Sequence, residues 1–141
     1  MSDDFKKNLD LALGNAKRLS NKILIDGKLV SAKSSNKIKV VNPSTGEQIG
    51  EAPQCDKHDV DVAVSSAETA FHKWKKIPAR ESGKMMTAAA RKLEERRDEI
   101  ETLLALDTGN ALRTQAKPET AASIELTHMF AGLAGEIKGE N

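Results

Sequence analysis

The sequence predicts an α/β chain made of two β-hairpins followed by three to four helices, with no β-α-β unit completed to close a parallel sheet. Three observations carry this. Residues 23–52 consist of short β-forming runs separated by Asp-Gly and Asn-Pro-Ser-Thr-Gly turns. At Asp56 an N-cap signal opens a region in which apolar residues recur every three or four positions. That periodicity then persists to Ile137, and no second strand-forming segment interrupts it.

Taken in order, residues 2–20 place Phe5, Leu9, Ala12, Leu13, Ala16 and Leu19 on one stripe among Lys and Asp, which predicts a short amphipathic helix. We treat 1–20 as an amphipathic N-terminal extension and 21–141 as a second unit. In Ile23-Leu24-Ile25-Asp26-Gly27-Lys28-Leu29-Val30, the central Asp-Gly suits a tight I′ hairpin turn, since both residues accept positive φ. Lys37–Val41 alternates by two, Asn42–Gly46 is turn chemistry, and Glu47–Ala52 resumes an extended run that Pro53 ends. Asp56, with Asp59 three residues on, caps a helix whose face is Val60, Ala63, Val64, Ala67, Ala70, Phe71 and Trp74. Ile77-Pro78 closes it, because the residue before proline is driven out of the helical region.

A second helical region runs from about Ala79 to Leu106, and the charged run Glu94–Glu99 marks a bend within it and a solvated helix face. After Gly109 a polar loop leads to Pro118. Ala122, Leu126, Met129, Phe130, Leu133 and Ile137 form the last apolar stripe, which Gly139 stops.

Composition limits what the chain can do. Its 22 basic and 21 acidic residues create no field suited to nucleic acid or an anionic membrane. Leu, Ile, Val and Phe supply 30 of 141 residues, close to the ~20% below which chains tend to stay disordered, so the core is expected to be thin. One cysteine excludes an intrachain disulfide and a cysteine metal cluster. There is no apolar run of membrane-spanning length, and the first residues are acidic where a signal peptide is basic, so a soluble cytoplasmic protein is expected.

Asp107-Thr108-Gly109 has two readings. Aspartic proteases use this triplet, but there it follows a β-strand so that two carboxylates are held face to face. Here residues 99–106 are helical by period, which favours a helix end with Gly109 in the left-handed cap and Asp107 and Thr108 bonded to local backbone.

Several segments together carry a resemblance: Ile25-Asp26-Gly27-Lys28-Leu29-Val30; Val41-Asn42-Pro43-Ser44-Thr45-Gly46-Glu47; Asp59–Val64 with Ala70-Phe71 and Trp74; Pro78-Ala79-Arg80-Glu81; and Leu106-Asp107-Thr108-Gly109-Asn110. Over about residues 23–140 the chain resembles the N-terminal part of the NAD(P)-dependent aldehyde dehydrogenase superfamily. Ala131-Gly132-Leu133-Ala134 is similar to the helix that precedes that family's first core strand.

The resemblance implies the N-terminal portion of a Rossmann-like cofactor domain with its parallel sheet incomplete. It also implies a homo-oligomeric enzyme that oxidises an aldehyde through a cysteine thiohemiacetal and passes hydride to NAD or NADP. The family's Pro-Trp-Asn segment, cofactor-contacting Lys, Gly-rich turn, general-base Glu and nucleophilic Cys have no matching positions in these 141 residues. No G-x-G-x-x-G is present to meet a pyrophosphate. No catalytic or cofactor-binding residue is therefore assigned, and neither activity nor cofactor binding is expected of this chain alone.

The resemblance does match Val41 and Asp107 to backbone ligands of a monovalent cation in some members. Cys55 reads as a loop thiol, and His58, His72 and His128 lack metal-ligand spacing. The alternative reading is a non-catalytic interaction module that binds a full-length dehydrogenase subunit or another protein. With the helix faces uncovered, the isolated chain is expected to be marginally stable or to self-associate.

Overall fold

The computed structural model describes residues 3–136, so Ile137 and Gly139, expected at the end of the last helix, lie outside it. The elements run α1 (Asp3–Leu19), β1 (Lys22–Ile25), β2 (Lys28–Ser31), β3 (Lys37–Val41), β4 (Gln48–Pro53), α2 (Lys57–Trp74), α3 (Ala79–Glu95), α4 (Arg97–Thr108), a π-turn (Leu112–Ala116) and α5 (Lys117–Leu133). The strands form two separate antiparallel hairpins, β1 with β2 and β3 with β4.

Each hairpin follows from its turn. Asp26 and Gly27 take φ of 51° and 72°, the I′ geometry that pairs Ile25 with Lys28 and Lys22 with Ser31. In the second, Asn42 accepts the Ser44 N–H on its Oδ1 at 2.9 Å, and Gly46 turns the chain at φ 73°. Pro53 is the last paired residue of β4, opposite Lys37, and the ladder slips between Val40 and Val41.

The predicted stripe of α1 is its docking face. Ala12 is fully buried against the body, and α1 lies on α4 and β4. Ser20, at its end, donates to the Ala16 carbonyl at 2.9 Å and accepts the Glu51 N–H at 3.2 Å, which ties the helix to β4.

Asp59 joins the β and α parts. It completes the capping box with Asp56, and its carboxylate also accepts the Lys33 N–H at 2.8 Å and the Ser34 N–H at 3.4 Å. One side chain thus fixes the linker between the hairpins to the first turn of α2. The Lys33 N–H is the largest influence holding the Asp59 carboxyl below its usual range, and the Asp56 and Ser34 N–H groups add to it against the desolvation.

The bend expected in the charged run falls at Arg96, whose φ of −111° and ψ of 17° separate α3 from α4. Glu94–Asp98 are exposed, as a solvated face requires, but the run's last residue is not. Glu99 is only 7% exposed, because its carboxylate takes a forked pair from Arg96 at 2.9 and 2.6 Å and the Asn15 amide of α1 at 2.8 Å. The expected loop before Pro118 is also corrected. Leu112–Ala116 winds as a π-turn, in which the Ala116 N–H reaches the Ala111 carbonyl at 3.2 Å and the Gln115 side chain accepts the Ala111 N–H at 3.0 Å. That turn runs directly into α5, with Pro118 tolerated in its first turn.

The buried apolar set is Ala12, Ile49, Ala90, Ala116, Ile124 and Ala131, with Ile124 the largest side chain fully enclosed. The core is as thin as the composition predicts. Helices α3 and α5 approach where Gly83 faces Ala131: a Cβ at Gly83 would stand 2.7 Å from the Ala131 carbonyl oxygen and 3.0 Å from the Ala134 Cβ.

Gly83→Ala is expected to push α3 from α5 and cost about 1–3 kcal/mol, read as a lower midpoint in urea unfolding; an unchanged midpoint refutes this packing. Acid supplies a second measurement. The folded-state pKa of Asp59 lies below its ordinary 3.8, so the stabilisation is full above that value and is lost as pH falls below it. Between pH 6 and 3, Asp59→Asn should lose less stability than the wild type in thermal melts; parallel losses would contradict the clamp.

Candidate functional site

Helix α4 ends at the triplet the sequence singled out. Gly109 takes the left-handed cap at φ 74° and its N–H returns to the Ala105 carbonyl at 3.0 Å. Thr108 donates to the Leu104 carbonyl at 2.7 Å and accepts the Asn110 N–H at 3.2 Å. Asp107 is exposed and makes no hydrogen bond with its side chain among the described residues, so Thr108 and Gly109 carry the capping that was expected of all three. The triplet ends a helix rather than following a strand, and the protease reading falls with that.

Tertiary structure brings this helix end onto the turn of the second hairpin. A Cβ at Gly109 would lie 2.8 Å from the Pro43 Cγ and 3.1 Å from the Ser44 Oγ. Val41, the strand end, and Asp107 are therefore each two residues from the contact between Gly109 and the Pro43 ring. The last carbonyls of α4 lack intrahelical partners and carry the negative end of its dipole, a setting that favours a cation over an anion.

Beside the joint runs an open groove of ≈ 680 Å³ between α1, β4 and the α3–α4 bend. Its walls are mainly Ile49, Leu93, Ile100, Leu103 and Leu104, with Glu99, Arg96 and Asp107 at the polar side. Arg96 holds the Glu99 carboxyl below its usual range, and the Asn15 amide adds to the effect. Glu99 therefore stands as a paired carboxylate rather than a proton donor. Its burial under α1 left no trace in the sequence.

Nothing else forms a reaction centre among the described residues. Cys55 is exposed and its thiol makes no hydrogen bond there. His128 lies 3.5 Å from Glu94, and His72 lies against Phe71 with ring centroids 6.3 Å apart. Among the described residues, no three His, Cys, Asp or Glu side chains come together as a metal site. No helix among the described residues is long and apolar enough to cross a membrane.

Known proteins match this arrangement closely. The family model of the aldehyde dehydrogenase family covers residues 29–141. Human cytosolic 10-formyltetrahydrofolate dehydrogenase is 32% identical over 124 residues, 86% of this chain and 14% of that protein. Betaine aldehyde dehydrogenase from Staphylococcus aureus, solved with NAD+, superposes with a TM-score of 0.85 at 30% identity, over 94% of this chain and 27% of its own. HpcC from Thermus thermophilus shares the fold at a TM-score of 0.88 and 24% identity, over 96% of this chain and 26% of its own. The chain thus spans from about a seventh to about a quarter of these relatives.

Gly109→Ala should cost about 2–3 kcal/mol, from left-handed strain plus the clash with Pro43. Urea unfolding measures it, and a neutral result would mean that the joint does not rest on the hairpin turn.

Proposed function

The chain belongs to the aldehyde dehydrogenase family, and on that premise we propose that it builds the outer hairpins and flanking helices of the cofactor domain in an NAD(P)-dependent aldehyde dehydrogenase. The complete enzyme oxidises an aldehyde to the carboxylic acid through a cysteine thiohemiacetal. NAD or NADP takes the hydride. The observation that carries this reading is the family match over residues 29–141, in a fold shared with an NAD+-bound betaine aldehyde dehydrogenase.

In this reading the segment's contribution is structural. Its described residues offer neither a nucleophile paired with a base nor a Gly-rich strand-to-helix turn for a pyrophosphate. The chain alone is inactive and does not hold the dinucleotide. The complete enzyme is a cytoplasmic homo-oligomer that works without nucleic acid or membrane, in line with the cytosolic human relative.

Val41 and Asp107 present backbone carbonyls to a monovalent cation in that enzyme. The fit rests on the helix end and strand end meeting at Gly109 and Pro43, and on the oxygen-only donor set that hard cations prefer. The cation would supply a fixed positive charge that holds the joint to the turn.

Purified chain incubated with NAD or NADP and a panel of aldehydes should show no reduced nicotinamide at 340 nm; turnover would overturn the assignment of a non-catalytic segment. For the cation, the ²³Na resonance should broaden in the presence of wild type more than with Gly109→Ala, and equal linewidths would remove Val41 and Asp107 from the site.

A further inference from the structure

Helix α1 holds two other elements at once. The Asn15 amide donates to the Glu99 carboxylate in the first turn of α4 at 2.8 Å, and its own Oδ1 accepts the Arg18 Nε–H at 3.3 Å, which orients it. At the far end of α1 both backbone groups of Glu51 in β4 are taken. The Ser20 Oγ accepts the Glu51 N–H at 3.2 Å, and the Glu51 carbonyl accepts the Asn21 N–H at 2.9 Å. Asn21, at φ 58°, turns the chain there. From Asn15 to Ser20 is five residues, about 7.5 Å of helical rise, so the separation of the two anchors is set by helix geometry.

Each anchor belongs to one half of the joint between Val41 and Asp107. Glu51 pairs with Lys39, two residues before Val41, and Glu99 stands about two turns before Asp107 on α4. The strand and the helix meet at Gly109 and Pro43. Away from that point the open groove of ≈ 680 Å³ runs between Ile49 of β4 and Ile100 and Leu103 of α4, and α1 forms another of its walls through Ala16, Leu19 and Ser20. Across the groove the two elements are spaced by α1 rather than by each other.

We infer that α1 is a brace that sets the spacing of Val41 and Asp107, with Asn15 and Ser20 as its positioning residues, and that it thereby tunes the affinity of the joint for a monovalent cation. This rests on the cation reading given above. A cation held by carbonyls from two elements loses apparent affinity for every arrangement in which the two stand apart, in proportion to the population of the competent one. Both anchors suit the task. The bond from Asn15 goes to a buried carboxylate and is charge-assisted, and the bonds at Glu51 go to backbone, so they move the strand itself.

Spin labels on the two halves of the joint test the brace with no cation present. In a Cys55→Ser background, labels go on Thr45→Cys in the hairpin turn and Ala111→Cys beyond the end of α4, both exposed positions. Asn15→Ala and Ser20→Ala should each broaden the distance distribution, and the two together should add little, because a brace fails once either end is loose. Ser20→Thr, which keeps the hydroxyl, and Asp10→Ala, on the exposed side of α1, should leave it as in the wild type. Sodium affinity, read by titrating the ²³Na linewidth with the unlabelled chain, should fall by roughly two- to ten-fold in Asn15→Ala and in Ser20→Ala, the size of one hydrogen bond. Distances unchanged in both variants, or broadening that simply sums in the double variant, overturn the brace. Broadened distances with unchanged sodium affinity overturn its link to the cation. If the wild type itself leaves the sodium resonance sharp, the cation reading fails and the positioning role falls with it.

Discussion

Close approach at glycines and alanines holds this chain together, because it has few large side chains to bury. Ala12, Ala90, Ala116 and Ala131 are buried while most of the large apolar residues of α2 and α5 are exposed. Contacts are made where a side chain is missing. Gly83 lets α3 meet the Ala131 carbonyl, and Gly109 lets the end of α4 rest on Pro43. Dispersion at such contacts falls away within an ångström, so each is sensitive to a single added methyl group.

Two carboxylates do the joining that a larger core would otherwise do. Asp59 gathers backbone N–H groups from the linker between the hairpins and from the start of α2. Glu99 gathers Arg96 and Asn15, and so binds α1 to the α3–α4 bend. Each carboxylate is kept charged by its donors, which is the condition for a buried anion to stabilise rather than destabilise. The hairpins and helices are consequently positioned largely by polar joints, and much of the apolar surface of α2 and α5 points outward. For a cofactor-domain segment this is a sensible division, since those faces are free for further sheet or for another chain.

Much of the fold was legible in the residues. The Asp26-Gly27 turn, the capping box at Asp56 and Asp59, the bend at Arg96 and the cap at Gly109 all depend on local backbone preferences, which neighbouring residues fix. The π-turn was not legible. Gln115 reads as one more polar loop residue, and its role appears only when its side chain accepts the Ala111 N–H. Glu99 failed for a different reason. A charged residue in a charged run looks solvated until α1, some eighty residues earlier, is laid over it.

By itself, the sequence determined the order of elements, their turns and caps, the thinness of the core and the family to which the chain is similar. These rest on short-range sterics and on periodicity, which act within a few residues. Tertiary structure alone decided that the end of α4 meets the Asn42–Gly46 turn, that Glu99 is buried, and that α2 keeps its stripe uncovered. Those outcomes depend on which surfaces remain once distant segments have packed, and a periodic pattern states only that a face is apolar.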